Sequence, residues 1–196
     1  MHTHGEQFRN IPAEQTFTGQ SLPRHATAIK QLIDLHQART LLDYGCGKGQ
    51  QYTQVKVKLP DGRQYGSIPA WWGVNTLICY DPGYEPFQKL PGEACDGVLC
   101  TDVLEHCPKE DLPWIVEELF AFARKFVFAN VACYPARKRL SNGENAHCTI
   151  EPPAWWSHSI AGVAQRHPHV RYHFLLDQFE TAQGGSSHMT TAMIEG

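Results

Sequence analysis

The chain has 196 residues, 42% apolar, 11% aromatic and 19% charged, which is enough apolar material to bury the core of one ordinary domain and excludes an intrinsically disordered chain. No run of about 18 uninterrupted apolar residues occurs, which excludes an apolar helix across a bilayer and predicts no membrane partner. A formal net charge of -3 argues against a broad electrostatic surface for duplex nucleic acid.

The opening residues, Met1-His2-Thr3-His4-Gly5-Glu6, show no basic block followed by an apolar one, so the expected location is cytoplasmic and reducing. Seven cysteines, at 46, 79, 95, 100, 107, 133 and 148, contain no C-x-x-C pair, which predicts neither a disulfide framework nor a structural zinc knuckle. Cys79, Cys100 and Cys133 lie in apolar strand-like runs and read as small core residues. Arg137-Lys138-Arg139 is a local basic patch, and three cations on a loop read as solvated surface ahead of a phosphate site.

In chain order, residues 24–38 place Ala26, Ile29, Leu32, Ile33 and His36 near one helical face. A short apolar strand over 40–44 follows and runs into glycines. Residues 50–73 show no clear helical stripe and contain Pro60-Asp61-Gly62 and Trp71-Trp72. A second strand over 75–80 ends in Asp81-Pro82-Gly83, and a third over 96–101 ends at Asp102. Residues 108–124 have helical spacing, with Pro108 and Pro113 tolerable near the first turns. A strand over 125–131, a polar loop over 135–153, a helix over 154–166, and strands over 170–176 and 188–194 that pair with each other complete the chain. Strands alternating with helices predict an α/β fold with a mostly parallel sheet and an antiparallel closing strand. Ligands of such sheets bind beyond the carboxyl ends of the strands, where the glycines and the three carboxylates fall.

Asp43-Tyr44-Gly45-Cys46-Gly47-Lys48-Gly49 is the strongest signal. A dinucleotide fingerprint would need glycine at Gln50, and a phosphate loop would need Ser or Thr after Lys48. The run instead resembles motif I of the class I S-adenosylmethionine-dependent methyltransferases, an apolar strand followed by D/E-x-G-x-G-x-G, and all four key positions match. The resemblance implies a Rossmann-like, doubly wound sheet. It also implies one methyltransferase domain over residues 25–196, preceded by residues 1–24 as a candidate lid. It assigns cofactor contacts to Asp43, Gly45, Gly47 and Gly49, and the ribose hydroxyls to Asp81. Residues 84–94 are too short for a helix and a strand, so the family's third strand is expected to be reduced or missing, with Leu90 and Glu93 as adenine-side candidates.

Asp102-Val103-Leu104-Glu105-His106 resembles the family's D-x-L-E-H sequence, which faces the reacting methyl group and places Asp102 beside the cofactor. If the chain turns helical here, Asp102 and either Glu105 or His106 share a face. His147, in a loop returning over the same end of the sheet, closes the set. The combination is similar to the metal site of methyltransferases acting on the 3′-terminal ribose of small RNAs, and to an E-H pair in ubiquinone-pathway O-methyltransferases; the RNA enzymes carry glutamate where this chain has Asp102. The implied metal ligands and catalytic residues are Glu105, His106 and His147, and imidazoles with carboxylates suit Mn, Fe, Co or Zn better than Mg. The competing reading is metal-free: Glu105 and His106 cap the following helix, and His106 or His147 acts as general base. His158, His167, His169 and His173 read as surface or packing residues. Phe8, Phe17, Trp71, Trp72, Trp155 and Trp156 read either as walls of a substrate pocket or as core.

These readings lead to an S-adenosylmethionine-dependent methyltransferase for a small-molecule acceptor, with O-methylation ahead of N-methylation. The alternatives are a metal-dependent 2′-O-methyltransferase of an RNA 3′ end and a non-catalytic, cofactor-binding regulatory protein.

Overall fold

The computed structural model describes residues 21–54, 56–140, 142–181 and 187–196. The expected lid, with Phe8 and Phe17, lies outside the described residues except at 21–24, where the 3-10 turn Leu22–His25 buries Leu22 and leads into the first helix. The fold is α/β, with a six-stranded, mostly parallel sheet of order β4-β1-β5-β6-β7-β8. The chain divides into two compact units, one ending at Gly97 and the other starting at Val98.

In the first unit, α1 (Ala26–Leu35) buries Ala26, Ile29 and Ile33, the i, i+3, i+7 stripe that its sequence predicts. Strand β1 (Thr40–Tyr44) follows, then the glycine run and one turn of helix, α2 (Gln51–Gln54). A two-residue hairpin, β2 (Val57–Lys58) with β3 (Gln64–Tyr65), precedes α3 (Ile68–Trp72), whose first turn is capped by Ser67 Oγ accepting from the Ala70 amide. The missing helical stripe over 50–73 therefore reflects a crossover broken into two short helices and a hairpin. Trp72 donates its Nε1–H to the Ala26 carbonyl at 2.9 Å and is buried, so it is core and not a pocket wall. Strand β4 (Thr76–Tyr80) pairs parallel with β1 in the register Thr40↔Thr76 through Tyr44↔Tyr80. Residues 84–94 hold one 3-10 turn, Glu85–Phe87, and no complete strand, as their length predicts. Strand β5 (Cys95–Thr101) carries Asp96 as its second residue, whose Oδ2 accepts from the amides of Arg39 and Thr40 at 2.7 and 3.2 Å, while Thr40 Oγ1 accepts from the Asp96 amide at 2.8 Å.

In the second unit, α4 (Leu112–Ala121) starts four residues later than the sequence spacing predicts and stops before Ala123, which opens β6 (Ala123–Ala132). The apolar side chain of Ala123 fits the helical stripe equally well, and pairing decides the boundary. Helix α5 (Pro153–Ala164) packs on α4, and Glu117 of α4 accepts from Arg166 and, at 2.6 Å, from His167. Strand β7 (Arg171–Thr181) runs parallel to β6, and β8 (Ser187–Glu195) antiparallel to β7. The expected pairing of the last two strands is present. Buried Asp177 joins all three, accepting from Asn130 Nδ2 at 2.9 Å and Thr191 Oγ1 at 2.5 Å. Of the three cysteines expected in the core, Cys100 is fully buried, whereas Cys79 and Cys133 are half-buried.

Candidate functional site

In the first unit, β1 delivers the chain into a bend made by Gly45, Gly47 and Gly49, with φ of 82°, 60° and 65°. All three are in the left-handed region where a Cβ clashes with the backbone. The amides of Gly45 and Cys46 donate to the Tyr80 carbonyl at the end of β4, at 2.7 and 3.1 Å. The next residue, Asp81, is the keystone of this turn. Its Oδ2 accepts from the Gly47 amide and its Oδ1 from the Gly83 amide, both at 2.9 Å. A carboxylate oxygen can accept more than one hydrogen bond, including one from a ligand hydroxyl. A Cβ at Gly49 would stand 3.1 Å from Phe87 Cε2 and 3.4 Å from Cys79 Sγ. Three glycine-only conformations and a carboxylate at a strand end fit an adenosyl ligand, whose approach needs a turn without Cβ atoms and whose ribose needs an acceptor.

Asp43 sits beneath the bend and is 2% exposed. Its Oδ2 accepts from Tyr52 Oη at 2.8 Å and Gln51 Nε2 at 3.3 Å. Burial, which the two hydrogen bonds only partly offset, pushes its carboxyl up to about 7. Asp43 thus braces the loop through α2, a role for Gln51 and Tyr52 that no motif announced. The Cys46 thiol is raised by its contact with the Cys79 thiol and by burial.

In the second unit, one acid and two imidazoles converge. Ligand-capable atoms of Asp102, His106 and His147 all lie within 4.8 Å of one another, and the two imidazole rings meet edge-on with centroids 4.8 Å apart. Residues 102–106 do not turn α-helical. Asp102 has φ 61°, and Leu104–His106 is a single 3-10 turn. A non-glycine residue in this region is strained, and such strain clusters at functional sites. His106 Nδ1 donates to the Ala146 carbonyl at 2.7 Å and His147 Nδ1 to the Tyr134 carbonyl at 2.6 Å. Both rings are thereby fixed as the tautomer with an Nε2 lone pair, the arrangement that orients histidine ligands. Burial, His147 and Lys138 hold the His106 imidazolium below the usual histidine range against the opposing pull of the Ala146 carbonyl and Asp102.

Glu105 stands apart from this set. It is fully buried, and its Oε1 accepts from the Ala132 amide at 2.8 Å. Its Oε2 is buried without a hydrogen-bond partner. Burial and the neighbouring Asp102 charge push its carboxyl well above the usual range. The structure therefore brings together Asp102, His106 and His147, with Glu105 behind them. This donor set, one carboxylate and two imidazoles whose Nδ1 atoms are already bonded to carbonyls, fits a divalent cation.

Leu90 is half-buried and Glu93 exposed, and the side chain at the glycine bend is that of Phe87, edge-on to Tyr84 at 5.4 Å. Trp155 and Trp156 line a cavity of about 310 Å³ between α4 and α5, together with Leu112 and Val116; none of the cluster residues lines it. Among the described residues, no helix is long and apolar enough to cross a membrane. No protein-family model, curated protein or solved structure matches the chain.

Proposed function

We propose that this protein is a Rossmann-like, S-adenosylmethionine-dependent methyltransferase acting on a small molecule, with a hydroxyl favoured as acceptor. The observation that carries the reading is the Asp-x-Gly-x-Gly-x-Gly bend with three left-handed glycines, closed by the Asp81 carboxylate on the Gly47 amide. S-adenosylmethionine, when bound, supplies an electrophilic methyl group on a sulfonium. Gly45 and Gly47 would present Cβ-free backbone to the donor, Gly49 lets Phe87 pack against the turn, and Asp81 would accept from its ribose hydroxyls. Displacement at a sulfonium needs alignment more than covalent machinery, which is consistent with a chain that offers no activated nucleophile at the bend.

A hydroxyl acceptor must also lose its proton, and the second unit carries groups suited to that. Asp102, His106 and His147 would hold a divalent cation, which supplies Lewis-acid acidification of a bound hydroxyl. Mn, Fe, Co or Zn suits the two imidazoles better than Mg. His106, kept neutral by its surroundings, has the Nε2 lone pair that a ligand or a general base needs. The same cluster favours a second reading, 2′-O-methylation of an RNA 3′ end.

The test is mass spectrometry of a cell extract incubated with the protein and methyl-labelled S-adenosylmethionine, with calorimetry of donor binding. A labelled small molecule supports the proposal, and labelled RNA supports the second reading. Donor binding without any labelled product supports the non-catalytic regulator, and absence of donor binding overturns all three.

A further inference from the structure

The sheet ends on a long strand with nothing beyond it. Strand β8 (Ser187–Glu195) pairs with β7 on one side, and among the described residues no strand lies on the other. An edge strand presents a row of unpaired N–H and C=O groups, which proteins commonly blunt with a short strand, Lys, Pro or a covering element. The strand at the other end of the sheet order, β4, is five residues long. Strand β8 has nine, Ser-His-Met-Thr-Thr-Ala-Met-Ile-Glu, with no Lys, Arg or Pro and one carboxylate at its end. That carboxylate, Glu195, is 3.3 Å from His173 Nδ1 on β7.

The same edge carries exposed apolar side chains on one face. Phe179, Met189 and Met193 are three of the six large apolar side chains exposed among the described residues, each to more than half. The register sets Phe179 opposite Met189, Asp177 opposite Thr191 and Leu175 opposite Met193, and directly opposed residues of an antiparallel pair share a face. The Phe179 ring meets the Tyr134 ring edge-on at 4.8 Å, and the Tyr134 carbonyl accepts from His147 Nδ1. A row of Tyr134, Phe179 and Met189 therefore leads from the histidine cluster to the edge of the sheet and stops there, exposed. Clustered exposure of this kind marks an interaction surface.

We infer that β8 docks a second copy of this chain, antiparallel to itself, with a twofold axis at Thr191. Such an axis sets Met189 of each copy opposite Met193 of the other, because both lie two residues from Thr191. The apolar row then continues across the junction: Phe179 and Met189 of one copy are followed by Met193 and Leu175 of the other, and the symmetry makes this row twice. Glu195 falls opposite Ser187, so no like charges face each other. Moving the axis by one residue sets Met189 opposite Thr191 or Glu195 instead, so apolar pairing selects this register. The self-complementary sequence is what favours a second copy over a different protein. Backbone hydrogen bonds along the edge supply the affinity and the methionine rows supply the register. The inference does not rest on the methyl-transfer reading.

The experiment uses the full chain with carbon-13 in its methionine methyl groups; three methionines make the spectrum readily assignable. Within one strand, Met189 and Met193 lie about 13 Å apart, too far for a nuclear Overhauser effect between their methyl groups. Wild type should show that cross-peak, growing with protein concentration, and should sediment as a monomer and dimer in exchange. The paired edge is smaller than the roughly 1,600 Å² of a standard interface, so dissociation should fall in the micromolar range. Met193→Lys should weaken association about tenfold or more, because it sets an ammonium opposite an apolar side chain. Adding Met189→Glu to the same chain should restore association, since the two introduced charges face each other between copies in this register. Thermal melts identify any variant that misfolds, and the wild-type cross-peak depends on no variant. A chain that stays monomeric at millimolar concentration, a dimer without the cross-peak, or a folded double variant as weak as Met193→Lys overturns the proposal.

Discussion

Asp81 Oδ2 and the Gly47 amide are 2.9 Å apart, so the carboxylate expected to meet a ligand is also a structural part of the bend that would receive it. Asp81→Asn replaces one acceptor oxygen with an N–H group facing a backbone N–H. The variant should lose about 1–3 kcal/mol of stability and at least tenfold in donor affinity. Urea unfolding and calorimetry measure the two losses, and an intact unfolding midpoint would refute the dual role.

Gly49 faces two separate obstacles to substitution, a φ of 65° and a Cβ position 3.1 Å from Phe87 Cε2. Gly49→Ala should cost about 1–2 kcal/mol from the backbone alone, with the contact adding to it. Phe87→Ala in the same chain should recover the contact part only. A double-mutant cycle in urea measures the coupling; additive effects would mean that Phe87 yields freely.

Asp43 gives a pH dependence whose sign follows from its burial. Its carboxyl is raised from 3.8 to about 7 in the fold, so the unfolded chain releases this proton first as pH rises. The contribution to stability is greatest below pH 4 and is lost between about pH 4 and pH 7, on the order of 4 kcal/mol. Asp43→Asn keeps an acceptor for Tyr52 and removes the titration. Urea unfolding across that range should be flatter for the variant by this amount. Parallel curves would show that Asp43 ionises normally.

Glu105→Gln should separate fold from chemistry in the second unit. The amide oxygen can still accept from the Ala132 amide, and the new N–H group can donate toward Asp102, so the chelated protein should melt higher. Cobalt or zinc affinity should fall, because the group behind the site can no longer ionise when a cation arrives. His147→Ala should lower metal affinity at least a hundredfold, read by calorimetry. Unchanged affinity in His147→Ala would remove that residue from the metal site.

The glycine bend was legible because its chemistry is local: only glycine tolerates the three φ values, and the run is contiguous. The truncated region after β4 was equally plain, since residues 84–94 are too few for a helix and a strand. The cluster was half legible. His106 and His147 carry a recognisable residue type, but choosing Asp102 over Glu105 depends on the left-handed turn at 102 and on the Ala132 amide that captures Glu105. Neither leaves a mark in periodicity. The partners of the histidines, Tyr134 and Ala146, act through carbonyls, and a carbonyl is the same in every residue. Trp72 and Trp156 were open between pocket and core because an aromatic side chain suits both until its neighbours are known.

The left-handed backbone at Asp102 implies a trade-off at that position. Asp102→Gly would relieve about 1 kcal/mol of torsional strain and remove the charge crowding Glu105, giving a hardier protein that lacks an oxygen ligand. The aspartate at this position thus sets backbone ease against an oxygen that faces two imidazoles.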